Sequence, residues 1–190
     1  MKPEDLFVHQ IHLLRARGCP EIILRYLMKQ QKDVMEKTRE VGGLFLPVIS
    51  LVHRGLYDLM AMLRIDRAVG FTNLKPSDLL SDILESPDDP YYVFGVDDGS
   101  SLMQMSPDET IDFFVKRDEA KRFLRTAEII ALGLHANILL SYNIWAAGSR
   151  SRNGMVPALV TTLGKPELIS YFADHKVPWG LSFCFKEGGV

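Results

Sequence analysis

Apolar positions in the first forty residues recur at helical spacing. Over 3–17 the stripe is Leu6, His9 or Gln10, Leu13 and Arg17, and Gly18 stands where a helix needs a left-handed residue just past its end. Pro20 opens a second predicted helix that runs to Val41. Its inner face is Ile23, Leu27, Gln30, Val34 and Val41, its wet face is Lys29, Lys32, Asp33, Glu36, Lys37 and Glu40, and Gly42-Gly43 ends it. A short apolar run over 44–49 reads as a strand that Pro47 places at an edge or bulge. Ser50 then caps a predicted helix over 51–63 with Val52, Leu56, Leu59, Met60 and Leu63 inward, and 77–84 reads as a further short helix.

Beyond the Pro- and Asp-rich stretch 85–90 the period shortens to that of strands. Residues 91–96 predict a strand and 97–100 a turn. Ser106-Pro-Asp-Glu109 is a capping box, so a helix starts there and reaches about Lys116. Thr126 caps a helix over about 127–139, with Glu128 in its first turn where the helix dipole favours an acid. Strands over 143–150 and 155–163 join through Ser151-Arg152-Asn153-Gly154, a hairpin signal. A turn at 164–167 and strands over 168–173 and 181–186 complete the chain. The expected fold is α+β: a helical N-terminal region, 1–86, packed as part of the same domain against a mostly antiparallel sheet flanked by helices, 90–190.

Four pieces of the second half occur in a set order. They are Thr126-Ala-Glu128-Ile-Ile-Ala-Leu132 with His135, then Ala147-Gly-Ser-Arg150, then Val156-Pro-Ala-Leu159, then Trp179-Gly-Leu-Ser-Phe-Cys184. Together, over about residues 90–188, they resemble an uncharacterised bacterial family catalogued only as a domain of unknown function. The resemblance implies an architecture and a set of positions; it brings no activity, cofactor or catalytic residue.

Composition narrows the field. The 190 residues are 47% apolar and 24% charged, enough to bury a core, and a net charge of −2 removes any general attraction to nucleic acid or anionic lipid. Cys19 and Cys184 alone make neither a disulfide framework nor a four-ligand zinc site. Residues 129–149 are 21 positions without Asp, Glu, Lys or Arg, long enough for a membrane span. His135, Asn137, Ser141, Tyr142 and Asn143 within them favour a buried helix, a turn and the start of a strand. The N-terminus lacks the apolar core of a signal peptide, so a cytoplasmic protein without a membrane segment is expected.

Candidate chemistry is sparse. Gly148-Ser149-Arg150, with Arg152 close by, offers a close backbone approach, a hydroxyl and a planar fork for a small anionic ligand, or a plain turn with Arg150 on a surface acid. Glu128 and His135 share a helix face about 10.5 Å apart along the axis, too far to bond each other. They are catalytic candidates, against a dipole-stabilised Glu and a core His bonded to a carbonyl. Trp179 is a further ligand-binding candidate. His9, His12 and His53 lack any zinc motif, so no metal and no cofactor are expected. The aromatic residues of the strands and the basic group Lys116, Arg117, Lys121, Arg122 and Arg125, diluted by Asp118 and Glu119, make nucleic acid an unfavoured partner. The leading expectation is a non-catalytic binding or interaction protein. A small hydrolase or transferase working through His135 and Arg150, and a homodimer formed through helices 3–41, are the alternatives.

Overall fold

A computed structural model describes residues 1–111 and 120–186. Helices α1 (Pro3–Ala16), α2 (Glu21–Lys29) and α3 (Gln31–Val41) form an N-terminal arm. The inner stripe of α1 is Phe7, Gln10, Ile11 and Leu14, one position beyond the stripe read from Leu6 and Leu13. The long second helix of the sequence reading is two helices, because Gln30 carries the chain through a break at φ −83°, ψ 0°. Its side-chain amide donates to Pro90 O at 3.2 Å, which ties the break to the far side of the Pro-rich stretch.

The strand β1 (Leu44–Val48) pairs antiparallel with β5 (Tyr91–Val96), with an irregularity between Leu44 and Leu46. Pro47 sits on this two-stranded sheet, where its missing N–H is tolerated. Ser50 closes a turn instead of capping a helix: its Oγ accepts from His53 N, Val52 is exposed, and helix α4 spans only Leu56–Met62. Short strands β2 (Arg64–Ile65), β3 (Ala68–Val69) and β4 (Phe71–Thr72) follow, then a 3-10 turn (Pro76–Leu79) that runs into α5 (Leu80–Glu85). The capping box at Ser106 forms in both directions, with Ser106 N on Glu109 Oε2 and Glu109 N on Ser106 Oγ, each at 3.3 Å. The helix it starts, α6, is described over 107–111, and its expected end near Lys116 lies outside the described residues.

After β6 (Lys121–Phe123) comes α7 (Thr126–His135), the apolar helix read from the sequence, with a 3-10 turn (Asn137–Leu140) behind it. The larger sheet has the order β10-β7-β8-β9-β4. Its centre is antiparallel: β7 (Ile144–Trp145), β8 (Val156–Thr162) and β9 (Lys165–Tyr171). Its edges, β10 (Gly180–Leu181) and β4, run parallel to their neighbours. The β8–β9 turn is Leu163-Gly164, at φ 51° and 75°, so the strand resumes at Lys165 rather than at 168. The last strand, β11 (Phe183–Phe185), pairs with β6.

One core cluster joins Leu24 and Leu27 of the arm to Leu46, Val93, Leu132, Ile144 and Leu159, residues from both sides of the 85–90 stretch. The arm's apolar stripe is thus covered by its own chain. A second cluster, around Trp145, Val156, Ala158 and Leu181, packs elsewhere on the sheet. Among the described residues no helix is long and apolar enough to cross a membrane.

Candidate functional site

The turn after β7 positions the candidate triplet. Gly148 N donates to Leu124 O at 3.0 Å, and a Cβ on Gly148 would lie 2.6 Å from Phe123 O. Glycine is required there because two backbones touch. The close approach carries Ser149 to the N-terminus of α7, which lacks a cap of its own because Arg125 occupies the cap position. Thr126, expected to be the cap, is the first helical residue, and its N–H donates to Ser149 Oγ at 2.9 Å and to Asp82 Oδ2 at 3.3 Å. Ser149 Oγ–H donates in turn to the Asp82 carboxylate, whose oxygens lie 2.6 and 2.7 Å away. Asp82, Thr126 and Ser149 are all buried. Burial raises the Asp82 carboxyl above its ordinary range, against the hydrogen bonds from Ser149 and Thr126 and the nearby Arg125 charge. Ser149 is therefore a cap supplied from a distant turn. Ser149→Ala should destabilise the fold by about 1–3 kcal/mol by leaving the Thr126 N–H and Asp82 short of a partner. Urea unfolding measures this.

Arg150 turns outward, beside the segment 76–81. Its Nη1 donates to Ala147 O at 3.1 Å and Ser149 O at 2.9 Å, and Nη2 meets the exposed Asp108 at 3.3 Å. Ser81 Oγ donates to Arg150 O, and Arg152 N donates to Asp78 O, so the two segments are stitched together. Between them lies a hollow of about 440 Å³ lined by Ser77, Asp78, Ser81, Arg150, Ser151 and Arg152. Ser151 is buried and its Oγ has no hydrogen-bond partner. Of the expected triplet only Arg150 reaches this hollow.

Glu128 is buried and fully engaged. Its oxygens accept two bonds from Arg122, both at 2.7 Å, one from Arg125 N at 2.8 Å and one from Tyr91 Oη at 3.0 Å. Burial works against the Arg122 charge, but Glu128 outweighs it and Arg122 is held above its ordinary pKa. Arg125, another member of the basic group, pairs with Glu85. Lys116 and Arg117 lie outside the described residues.

His135 closes α7 at the end away from Ser149, about 13.5 Å along the axis. The carbonyl partner expected for it is absent: both ring nitrogens are enclosed with no hydrogen bond. Burial, with His9 adding repulsion, pulls its pKa down to about 3. His135 and Ser149 thus lie at opposite ends of one helix, and the structure does not bring His135 and the 148–150 corner into a common site. Trp179 packs its ring 4.7 Å from Trp145 and 5.3 Å from Tyr171, within the second core cluster. The sequence singles out Asp82 in no way, and it shows Arg122 only as one of a basic group and Ser151 only as part of a hairpin signal; Asp82, Arg122 and Tyr91 are each defined by a partner on another element. No family model, curated protein or solved structure matches this chain.

Proposed function

We propose that this chain is a non-catalytic binding protein that takes a small oxyanion, a phosphate or carboxylate, in the hollow beside Arg150. The observation that carries the reading is Ser151: a buried hydroxyl without a partner, in a turn whose backbone is fixed by Ser151 N on Met155 O at 2.7 Å. A buried polar group of this kind is costly unless something serves it. The neighbouring Arg152 guanidinium has no ion pair among the described residues, and Arg150 Nη2 is held only by an exposed acid. An oxyanion would accept from Ser151 and Arg152 and displace Asp108 from Arg150. The non-catalytic part of the reading is supported by the occupied state of the candidate groups, Glu128 by Arg122 and Ser149 by Asp82.

The test is a thermal-shift titration with inorganic phosphate and with succinate, on wild type, Arg152→Gln and Arg150→Gln. A ligand present at a hundred times its Kd stabilises by about 2.7 kcal/mol, which at this size is about 5–10 °C. The shift should occur in wild type and vanish in Arg152→Gln. Equal shifts in the two proteins, or none with either anion, would refute the reading.

A further inference from the structure

The hollow beside Arg150 is larger than an inorganic anion needs. At about 440 Å³ it lies within the range of small-molecule sites, and a phosphate or an acetate would fill only a fraction of it. Two guanidiniums, Arg150 and Arg152, against one carboxylate, Asp78, leave its lining positive. Asp78 also turns its Oδ2 back to Lys75 N at 2.8 Å, so part of its charge serves its own turn. The rest of the space is bounded by the other wall, which Leu80 of α5 shares with Ser77, Asp78 and Ser81.

That helix buries its polar residue and exposes its apolar ones. It reads Leu80-Ser-Asp-Ile-Leu-Glu85, and ordinary packing would turn the leucines inward. Asp82 is buried in their place, because its carboxylate accepts from Ser149 Oγ and Thr126 N under the first turn of α7. This bond set fixes the rotation of α5. Ile83 packs against the core, and Leu80 and Leu84 face out, 55% and 76% exposed. Four residues apart, they share one helix face and are separated by about 6 Å along it. Leu80 lines the hollow itself. Exposed leucines scattered singly are ordinary on a protein surface. Here two stand in line and lead out of a positive hollow whose Ser151 hydroxyl is buried without a partner.

We infer that the oxyanion is the carboxylate of an aliphatic chain. The carboxylate lies at Arg150, Arg152 and Ser151, and its methylenes leave the hollow over Leu80 and lie along Leu84. Charge complementarity holds the head. The chain is held because apolar area on both partners leaves water. This inference rests on the oxyanion reading above and adds to it the class of ligand. A purely polar anion gains nothing from the leucines, and an uncharged chain gains nothing from the arginines.

The probes are acetate, butyrate, hexanoate and octanoate, with hexanol as the uncharged chain and succinate as the anion without an apolar end. Titration at millimolar concentration is followed by the backbone amide NMR signals of Arg152 and Leu84. Each added methylene should tighten binding about twofold, short of the roughly fourfold of a fully buried one, because the leucines cover the chain on one side only. Octanoate should then bind on the order of ten times more tightly than butyrate, and the longer acids should shift the Leu84 signal. Hexanol should shift neither signal. Leu80→Gln with Leu84→Gln should flatten the series and leave acetate and succinate unchanged. Both side chains are exposed and glutamine is a good helix former, so the double variant keeps the wild-type melting temperature. Arg152→Gln should remove the binding of every acid. If succinate binds through Arg152 while acids of all lengths bind alike, the inference is overturned and the oxyanion reading stands. Hexanol binding as tightly as hexanoate, or a slope that survives in the double leucine variant, would overturn it as well. No saturation by any acid would overturn both.

Discussion

Glutamine in place of Glu128 is expected to lower the free energy of unfolding by about 3–5 kcal/mol at neutral pH, the usual cost of removing one member of a buried ion pair. The carboxylate is buried and holds four hydrogen bonds, two of them the parallel fork of Arg122. Glutamine fills the same space but turns an NH₂ group toward a guanidinium that is itself only 24% exposed. The Arg122 charge is then left with Phe123 O at 3.2 Å as its remaining acceptor among these contacts. The loss also reaches the Tyr91 hydroxyl and the first turn of α7, because Arg125 N depends on the same carboxylate. Urea unfolding of Glu128→Gln, Arg122→Met and the double variant checks the coupling. The double variant should be more stable than Glu128→Gln alone, since no buried charge is left unserved. If Glu128→Gln falls within 1 kcal/mol of wild type, the pair does not hold β6 to α7 as described.

What the sequence disclosed follows from how local each feature is. The Ser106 box, the positive-φ glycines at 18 and 154 and the apolar helix α7 all depend on residues within a few positions of one another, and they were legible. The break at Gln30 was not, because Lys29-Gln30-Gln31 is good helix sequence and the bend is held by Pro90, sixty positions on. The strands β2, β3 and β4 are two residues each, too short for an alternation to register. The 148–150 corner was found for its residue types, but its use differs. Gly148 and Ser149 serve the packing of α7, and the partner that decides this, Asp82, lies 67 positions away in a helix with no sequence mark of burial. Arg122 and Glu128 are six apart across a strand-to-helix turn, a spacing that no helical or strand rule pairs.

His135 makes the stability of this protein sensitive to mild acid. Its imidazole is held neutral down to about pH 3, against an ordinary value of 6.5. Below pH 6.5 the unfolded chain binds a proton there that the folded one refuses. Each unit of pH then costs about 1.4 kcal/mol, and the full window between 6.5 and 3 is on the order of 4–5 kcal/mol. The sign is that of a depressed base: the contribution is present above 6.5 and is lost as pH falls. Asp82 works the other way, since its raised pKa favours the folded form in acid, so the net curve of the wild type mixes the two. A difference curve isolates His135. Leucine at this position removes two enclosed nitrogens that have no partner, so His135→Leu should be neutral or mildly stabilising at pH 7. At pH 4.5 it should exceed wild type by roughly 2–3 kcal/mol more than at pH 7. Unfolding by urea at intervals from pH 7.5 to 4 supplies the two curves. Parallel curves would mean that the ring takes a proton in the folded state at its ordinary pKa, and hence that the end of α7 opens to water beside His9.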